Sequence, residues 1–229
     1  MKKYYTRACN FYYGSESKLR IKRKLSLPLN GNSLISFDCI ELINRKSKKI
    51  INIKKINNLP KVIKNKVIID LKNITKKKIF SNLSFNNFPL LMGILNVTPD
   101  SFSDGGKFLK NYSAKHHIKK MINDGVDIID IGGESTKPGS QDVYSKNEWK
   151  RIKSKLIFLS KKKSFISLDT RKSIIMEKSL KYRINLINDV SGLSYDNKTL
   201  NFLKEYKKPF IIHHIKGAPK TMQLNPNYK

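Results

Sequence analysis

The sequence is poor in cysteine, and this shortage excludes several classes of protein. It has two cysteines among 229 residues, Cys9 and Cys39. They stand too far apart for a zinc knuckle or a redox CxxC pair, and two residues cannot build a disulfide framework. We therefore expect a protein of the reducing cytoplasm.

Long apolar stretches are also missing. No run of about 18 apolar residues, the length that crosses a bilayer as a helix, occurs in the chain. The start, MKKYYTRACNFYYGS, is positively charged but is not followed by the apolar segment of a signal peptide. We expect no membrane-spanning segment and no export.

Acidic residues are scarce too, with 17 Asp and Glu against 47 Lys and Arg, for a formal net charge of +30. Such an excess can indicate a polyanionic partner. Here lysine is spread along the whole chain with Ile and Asn, and the aromatic-flanked signatures of RNA- and DNA-binding proteins are missing. We favour compositional drift over nucleic-acid binding, and a basic binding protein stays as an alternative.

The composition changes near Phe88-Pro89. Residues 1–88 are predicted to be a small N-terminal extension, β-rich or partly disordered, without an activity of its own. Residues 26–45 predict a hairpin, because Asn30-Gly31 is a strong turn signal between two apolar stretches. The lysine-rich segment 47–80 has no clean helical period, so short strands or poorly ordered connections are expected there.

Residues 89–229 alternate between strand and helix patterns and form the predicted main domain. The apolar segments that predict strands are 90–97, 127–132, 164–169, 184–189 and 209–213. Successive βα units favour an α/β fold of the TIM (β/α)₈ barrel type over a doubly wound sheet. A complete barrel needs about 250 residues. We therefore expect about the first five βα units, without the last three strands and their loops.

The first of these strands ends at Asn96, before a loop that contains DSFSDGG at 100–106. An Asn side chain can offer its oxygen to Mg²⁺ and its amide hydrogens to a phosphate. Gly105 and Gly106 give the loop freedom to close over a substrate. The alternative is an ordinary surface loop, although Phe102 is an unfavourable residue to expose.

The second strand runs into GGESTKPG, residues 132–139. Its glycines allow close approach of the backbone to an anion, Thr136 offers a hydroxyl and Lys137 a positive charge. The spacing is not that of a P-loop. Asp130 is interpreted as a hydrogen-bonded structural carboxylate, and the role of Glu134 is left open.

The third strand ends at Asp169 and the fourth contains Asn188 near its end. A carboxylate and an amide facing one cavity can read the donor and acceptor edge of a flat heterocycle. Either residue alone could be a helix cap. Because both lie at the same end of neighbouring strands, a binding site is favoured.

The four histidines show no zinc-binding pattern. His116 and His117 lie among lysines on a predicted helix and are interpreted as solvated surface. His213 and His214 close the fifth strand, where one should face the barrel and support other residues rather than bind a metal.

The segments LLMGILNVTPDSFSDGG and DGVDIIDIGGESTKPGS resemble the two signature segments of the dihydropteroate synthase family. SLDTRK, INDVSG and HIKGAPKTMQ follow in the family's order, so that the resemblance covers residues 90–228. This family consists of TIM-barrel enzymes of folate biosynthesis. Lys137 stands where the family usually has Arg, which keeps the charge but loses bidentate geometry.

The resemblance implies a transferase that joins 6-hydroxymethyl-7,8-dihydropterin diphosphate to p-aminobenzoate, with Mg²⁺ as cofactor and a homodimer in the full-length family. It implies catalytic roles for Asn96 and Asp104, with Asn96 also the ligand of Mg²⁺ or of the diphosphate. The implied substrate-binding residues are Thr136 and Lys137 for the diphosphate, Asp169 and Asn188 for the pterin ring, and Phe102 and Pro138 for p-aminobenzoate.

Two alternatives stay open. The family's later Asp-Pro-Gly loop, its Lys and its Arg-x-His have no counterpart in this sequence, which is compatible with a non-catalytic remnant or one chain of a split synthase. The other alternative is the pterin-binding module of a methyltransferase. The SFSDGG loop argues against it, because methyl transfer needs no lid over an aminobenzoate.

Overall fold

The computed structural model describes residues 4–78, 83, 89–98, 111–215 and 217–223. These residues fall into two compact units, the first comprising 4–78 and the second the described residues from 83 onward. Each unit has an apolar core of its own.

The first unit is a small antiparallel sheet with two α-helices. Its elements are β1 (Tyr5–Tyr13), α1 (Gly14–Lys22), β2 (Leu27–Leu29), β3 (Asn32–Ile43), β4 (Lys48–Asn52), a 3-10 helix (Ile53–Asn58) and α2 (Lys61–Thr75). The long strand β3 pairs with β1 on one side and with β2 and β4 on the other. Asn30 and Gly31, both with positive φ, turn the chain between β2 and β3, which confirms the predicted hairpin.

The expectation of short strands or poor order across residues 47–80 is wrong for α2. Four apolar residues spaced by three or four positions pack into the core of the first unit: Ile63, Val67, Leu71 and Ile74. This is the spacing of an amphipathic helix. Exposed Ile68 and Ile69 on the outer side of α2 obscured the period in the sequence. The expectation of a strand holds for β4.

The second unit is a parallel α/β structure. Its elements are β5 (Met92–Asn96), α3 (Asn111–Asn123), β6 (Ile128–Gly132), α4 (Ser145–Ser160), β7 (Phe165–Asp169), α5 (Ser173–Ser179), a 3-10 helix (Leu180–Tyr182), β8 (Leu186–Asp189), α6 (Thr199–Glu205) and β9 (Phe210–Ile212). The strands pair in chain order, β5-β6-β7-β8-β9, without a reversal. Each new strand is added at the same edge of the growing sheet. This order is found in a barrel, whereas a doubly wound sheet reverses direction. The five predicted strands of the TIM-barrel type are confirmed.

The two faces of this parallel sheet have different environments. One face is fully buried against the helices, through the side chains of Leu95, Ile131, Leu168 and Ile187. Because successive residues of a strand point to opposite faces, the residues that follow these four at the carboxyl ends project to the other face. The candidate site lies there.

Candidate functional site

A row of polar residues crosses the carboxyl ends of the parallel strands. Asn96 is in register with Gly132, Gly132 with Asp169, and Asp169 with Asn188. Register partners project to the same face of a sheet. The Asp169 carboxyl group lies against Gly132, where a Cβ atom would be only 3.0 Å from Asp169 Oδ2. Three of the residues predicted from the sequence therefore share one surface.

Asp169 is the titratable residue in this row, and its pKa is strongly shifted. Burial raises the pKa of its carboxyl group well above the ordinary value, and repulsion from Asp130 and Glu148 raises it further. A carboxyl group that holds its proton can donate a hydrogen bond as well as accept one. Perturbed groups of this kind are typical of binding and catalytic sites.

A chain of hydrogen bonds connects Asp130, Asn188 and His213 across the sheet. Asn188 Nδ2 donates to Asp130 Oδ2 at 3.0 Å, and His213 Nε2 lies 2.9 Å from Asn188 Oδ1. Asp130 is only 4% exposed, and burial raises its pKa. Its second oxygen, Oδ1, has no hydrogen-bond partner among the described residues. Asp130 is thus the hydrogen-bonded carboxylate that the sequence predicts, but its partner is a residue of the predicted site.

The loop after β6 contains the predicted residues Thr136, Lys137 and Pro138, and hydrogen bonds define its shape. Glu134 Oε1 accepts from the backbone N–H of Val143 at 2.8 Å, which joins the two ends of the loop. Within it, the N–H of Ser140 donates to the carbonyl oxygen of Lys137 at 3.1 Å. Thr136 and Lys137 are half-buried, whereas Pro138 is exposed. The hydroxyl and ammonium groups therefore stand on a loop with a fixed base.

The base of this loop is part of a buried ionic network. Glu134 Oε2 lies 2.8 Å from Arg171 Nε and 2.7 Å from Lys172 Nζ, and Lys172 Nζ also lies 2.7 Å from Glu148 Oε2. Burial raises the pKa of Glu134, but hydrogen bonds from Arg171 and Lys172 outweigh it, so that the pKa lies below its ordinary value. At Glu148 burial prevails, and the pKa is raised. The network fastens the loop after β6 to the loop after β7.

The sequence of the second unit matches a known protein family. Residues 92–229, which include all five strands of the parallel sheet, match the family of pterin binding enzymes. The chain belongs to this family. The chain is 42% identical over 143 residues to the dihydropteroate synthase of Neisseria meningitidis serogroup B, covering 62% of this chain and 50% of that protein.

Solved structures of dihydropteroate synthases also match this chain over about half of their own length. The dihydropteroate synthase of Yersinia pestis, determined in a sulfonamide drug complex, has a TM-score of 0.57 and 38% identity over 61% of this chain and 50% of its own. The Burkholderia cenocepacia enzyme complexed with 7,8-dihydropteroate has a TM-score of 0.54 and 32% identity, over 64% and 49%. The chain spans about half the length of the relatives it matches.

Not every predicted site residue can be placed against this family fold. Phe102 and Asp104 lie outside the described residues, and Thr136, Lys137 and Pro138 stand on a loop whose contacts were not predicted. Sequence reasoning also missed the network of Arg171 and Lys172 with Glu134. The signal for it was an acidic residue after β6 and two adjacent basic residues after β7, which parallel strands bring to the same edge.

The described part of the chain contains no group of three or more His, Cys, Asp or Glu side chains that could hold a metal ion. In the row of strand ends, Asn96 offers a single amide oxygen. Across the same described residues, no helix is both long and apolar enough to cross a membrane.

Proposed function

We propose that this chain is the pterin-binding portion of a dihydropteroate synthase, a transferase of folate biosynthesis. The reaction would join 6-hydroxymethyl-7,8-dihydropterin diphosphate to p-aminobenzoate and release pyrophosphate. The observation that carries the proposal is the pairing of Asp169 and Asn188 in register at the ends of β7 and β8. The relatives named above support it, since they are dihydropteroate synthases.

The pterin ring is assigned to Asp169 and Asn188. A pterin presents amino, ring N–H and carbonyl groups along one edge, and a carboxyl next to a carboxamide offers both donors and acceptors to such an edge. Gly132 lets the Asp169 carboxyl group lie against the backbone of β6, since a Cβ atom at 132 would be only 3.0 Å from Asp169 Oδ2. The absence of a side chain at 132 therefore helps to hold the carboxyl group in its position at the strand ends.

The diphosphate is assigned to Asn96 and to Thr136 and Lys137 on the loop after β6. Lys137 supplies a positive charge, and Thr136 donates through its hydroxyl group. Mg²⁺, when bound, would neutralise charge on the leaving diphosphate. Asn96 would hold it by one amide oxygen, and the other ligands would come from the diphosphate and water.

The chemistry then needs positioning more than a reactive side chain. The bond between the pterin methylene carbon and the diphosphate oxygen breaks, and its electron pair leaves with the diphosphate. The amine of p-aminobenzoate attacks the methylene carbon and loses a proton. Asp169 and Asn188 hold the ring while Thr136 and Lys137 stabilise the departing charge. Phe102, Asp104 and Pro138 are assigned to the loops that close over p-aminobenzoate and exclude water.

The wider setting is part of the same proposal. The reaction would take place in the cytoplasm, residues 1–88 would be an extension without activity, and residues 89–229 would be the pterin-binding domain. A homodimer is expected for the full-length family. Because the chain spans about half of its relatives, binding of the pterin substrate is the activity to measure first, and turnover with p-aminobenzoate is a separate measurement.

Titration calorimetry with 6-hydroxymethyl-7,8-dihydropterin diphosphate and the whole chain tests the proposal. We expect Asp169→Ala to weaken binding by at least about a hundredfold, or about 2.7 kcal/mol. The matched control is Asp124→Ala, which removes an exposed carboxylate that precedes β6, at the opposite end of the sheet. Equal affinities of Asp169→Ala and the unchanged chain would contradict the proposed function.

A further inference from the structure

We infer that Asp130 and His213 are positioning residues, which together fix the carboxamide of Asn188 in one orientation for recognition of the ring. The inference rests on the proposed function only in taking Asn188 as a contact of the pterin. It gives roles to two residues that sequence reasoning left as a structural carboxylate and a supporting histidine.

A carboxamide needs such support because its two ends have nearly the same shape and opposite polarity. Rotation by half a turn exchanges the Asn188 oxygen for its NH₂ group, and a freely rotating side chain would present either to a ligand. In the structure both ends have partners. Nδ2 points toward β6 and donates to Asp130, and Oδ1 points toward the residue after β9, His213.

Neither partner alone determines the orientation. A carboxyl group accepts when ionised but can donate when protonated, and burial raises the pKa of Asp130 toward that second state. An imidazole nitrogen donates or accepts according to the tautomer. With Asp130 accepting from Nδ2, His213 Nε2 must carry a hydrogen and donate it to Asn188 Oδ1. The reversed carboxamide would need both partners to change at once, with a protonated Asp130 that donates and a His213 Nε2 that accepts.

The backbone around His213 is held in place by the loop after β8. The N–H of His213 donates to the carbonyl oxygen of Asp189 at 3.2 Å. The Asp189 carboxylate in turn accepts from the N–H groups of Ser191 and Leu193, at 2.8 and 3.0 Å, and shapes the loop. Gly192 has φ +62°, and a Cβ atom there would lie 2.6 Å from the His213 carbonyl oxygen. The INDVSG segment thus has a second role, which is to seat His213 against Asn188.

The tautomer of His213 tests this arrangement without any ligand. The chain has four histidines, so selective ¹³C and ¹⁵N labelling of histidine gives four ring signals, and the signal missing from His213→Gln identifies His213. We expect the Nε2–H tautomer in the unchanged chain. In Asp130→Asn, whose new amide can either donate or accept, we expect a mixture of both tautomers. A pure Nδ1–H tautomer in the unchanged chain would overturn the inference.

Ligand selectivity tests the consequence for recognition. The probes are 6-hydroxymethylpterin and the corresponding lumazine, in which an oxo group replaces the 2-amino group. We expect the unchanged chain to prefer the pterin, and the ratio of the two dissociation constants to fall about tenfold or more in Asp130→Asn and His213→Leu. His213→Gln, which retains a donor, should restore part of the ratio, and His214→Leu is the matched control.

The outcomes separate the two proposals. If the unchanged chain binds the pterin and the selectivity ratio is the same in Asp130→Asn and His213→Leu, the positioning role is wrong while the proposed function stands. If the unchanged chain does not bind the pterin, the proposed function fails, and the tautomer measurement still decides whether Asp130 and His213 orient Asn188.

Discussion

Asp38 in the first unit and Asp169 in the second are both largely buried carboxylates, and their surroundings are opposite. Asp38 accepts hydrogen bonds from Asn10 at 2.7 Å, Tyr12 at 2.9 Å and Arg20 at 2.9 Å. Burial raises its pKa, but these bonds, chiefly that from Asn10, outweigh burial and leave the pKa below its ordinary value. Asp169 lies among other carboxyl groups, and its pKa is raised well above normal.

The difference contrasts a carboxylate that stabilises the fold with one whose described electrostatic neighbours are other carboxyl groups, and it is the second that we propose binds the pterin. A structural carboxylate lies beside hydrogen-bond donors and a cation, which compensate its charge in the folded state. A carboxylate without such partners costs stability, and it persists where a bound molecule supplies the missing hydrogen bonds. Glu134 follows the pattern of Asp38, although it lies in the same unit as Asp169. The partners of the group therefore decide its role, not the unit it belongs to.

The largest effect is expected from Glu134→Ala. This change leaves the buried cations Arg171 and Lys172 without their shared carboxylate, and we expect a loss of about 3–5 kcal/mol of stability. The single tryptophan, Trp149, lies in α4 and packs against Tyr182. Its fluorescence during urea unfolding therefore reports on the second unit.

The control for this prediction is Asp142→Ala. Asp142 also pairs with Arg171, at 2.7 Å, but its side chain is 65% exposed. We expect a loss below about 1 kcal/mol, because exposed ion pairs contribute little. Equal effects of Glu134→Ala and Asp142→Ala would show that burial of the network does not matter.

Asp38→Asn should have the next largest effect, a loss of about 2 kcal/mol of stability, because hydrogen bonds to a charged group typically contribute this much. A lowered pKa contributes stability above the ordinary value of 3.8 and loses it as the pH falls through the folded-state pKa. The variant should therefore be less stable at neutral pH and equal to the unchanged chain in strong acid. Hydrogen exchange of peptides from β3 measures this in the first unit, and a pH-independent difference would contradict it.

Asp169→Asn should change stability in the opposite direction, by increasing it. A raised pKa means that the stability of the unchanged chain is complete below the ordinary value of 3.8 and is lost as the pH rises through the folded-state pKa. The neutral variant should therefore be more stable, by about 1 kcal/mol at pH 8, with no difference at pH 3. Urea unfolding followed by Trp149 fluorescence measures it, and lower stability of the variant at pH 8 would remove the contrast with Asp38.

The smallest effect is expected from Asp124→Asn. Asp124 pairs with Lys120 one helical turn away, and the two side chains are 53% and 63% exposed. Solvent screens such a pair, so the change in stability should stay within about 0.5 kcal/mol. The same fluorescence measurement applies. A larger loss would mean that exposure is a poor guide to the contribution of a carboxylate in this chain.

The parts of the fold predicted from the sequence are those that depend on local patterns. The five barrel strands and the turn at Asn30-Gly31 were predicted because apolar runs and turn residues occur within a few positions of one another. Helix α2 was not predicted, since exposed Ile68 and Ile69 obscured its period and only packing against the sheet shows which face is buried. The same reasoning placed Asn96, Asp169 and Asn188 at strand ends, where parallel strands bring them together.

The order of the elements, the polar residues at the carboxyl ends of the strands and the side chains available there follow from local patterns in the chain. Which of these groups are partners depends on the three-dimensional fold. Asn188 and Asp130 are 58 residues apart in the chain, and Arg171 and Glu134 are 37 apart. Their contacts depend on strand register and on burial, which are properties of the assembled sheet. For the same reason, the contrast between Asp38, which lies beside Arg20, and Asp169, whose described electrostatic neighbours are other carboxyl groups, is visible in the structure and not in the sequence.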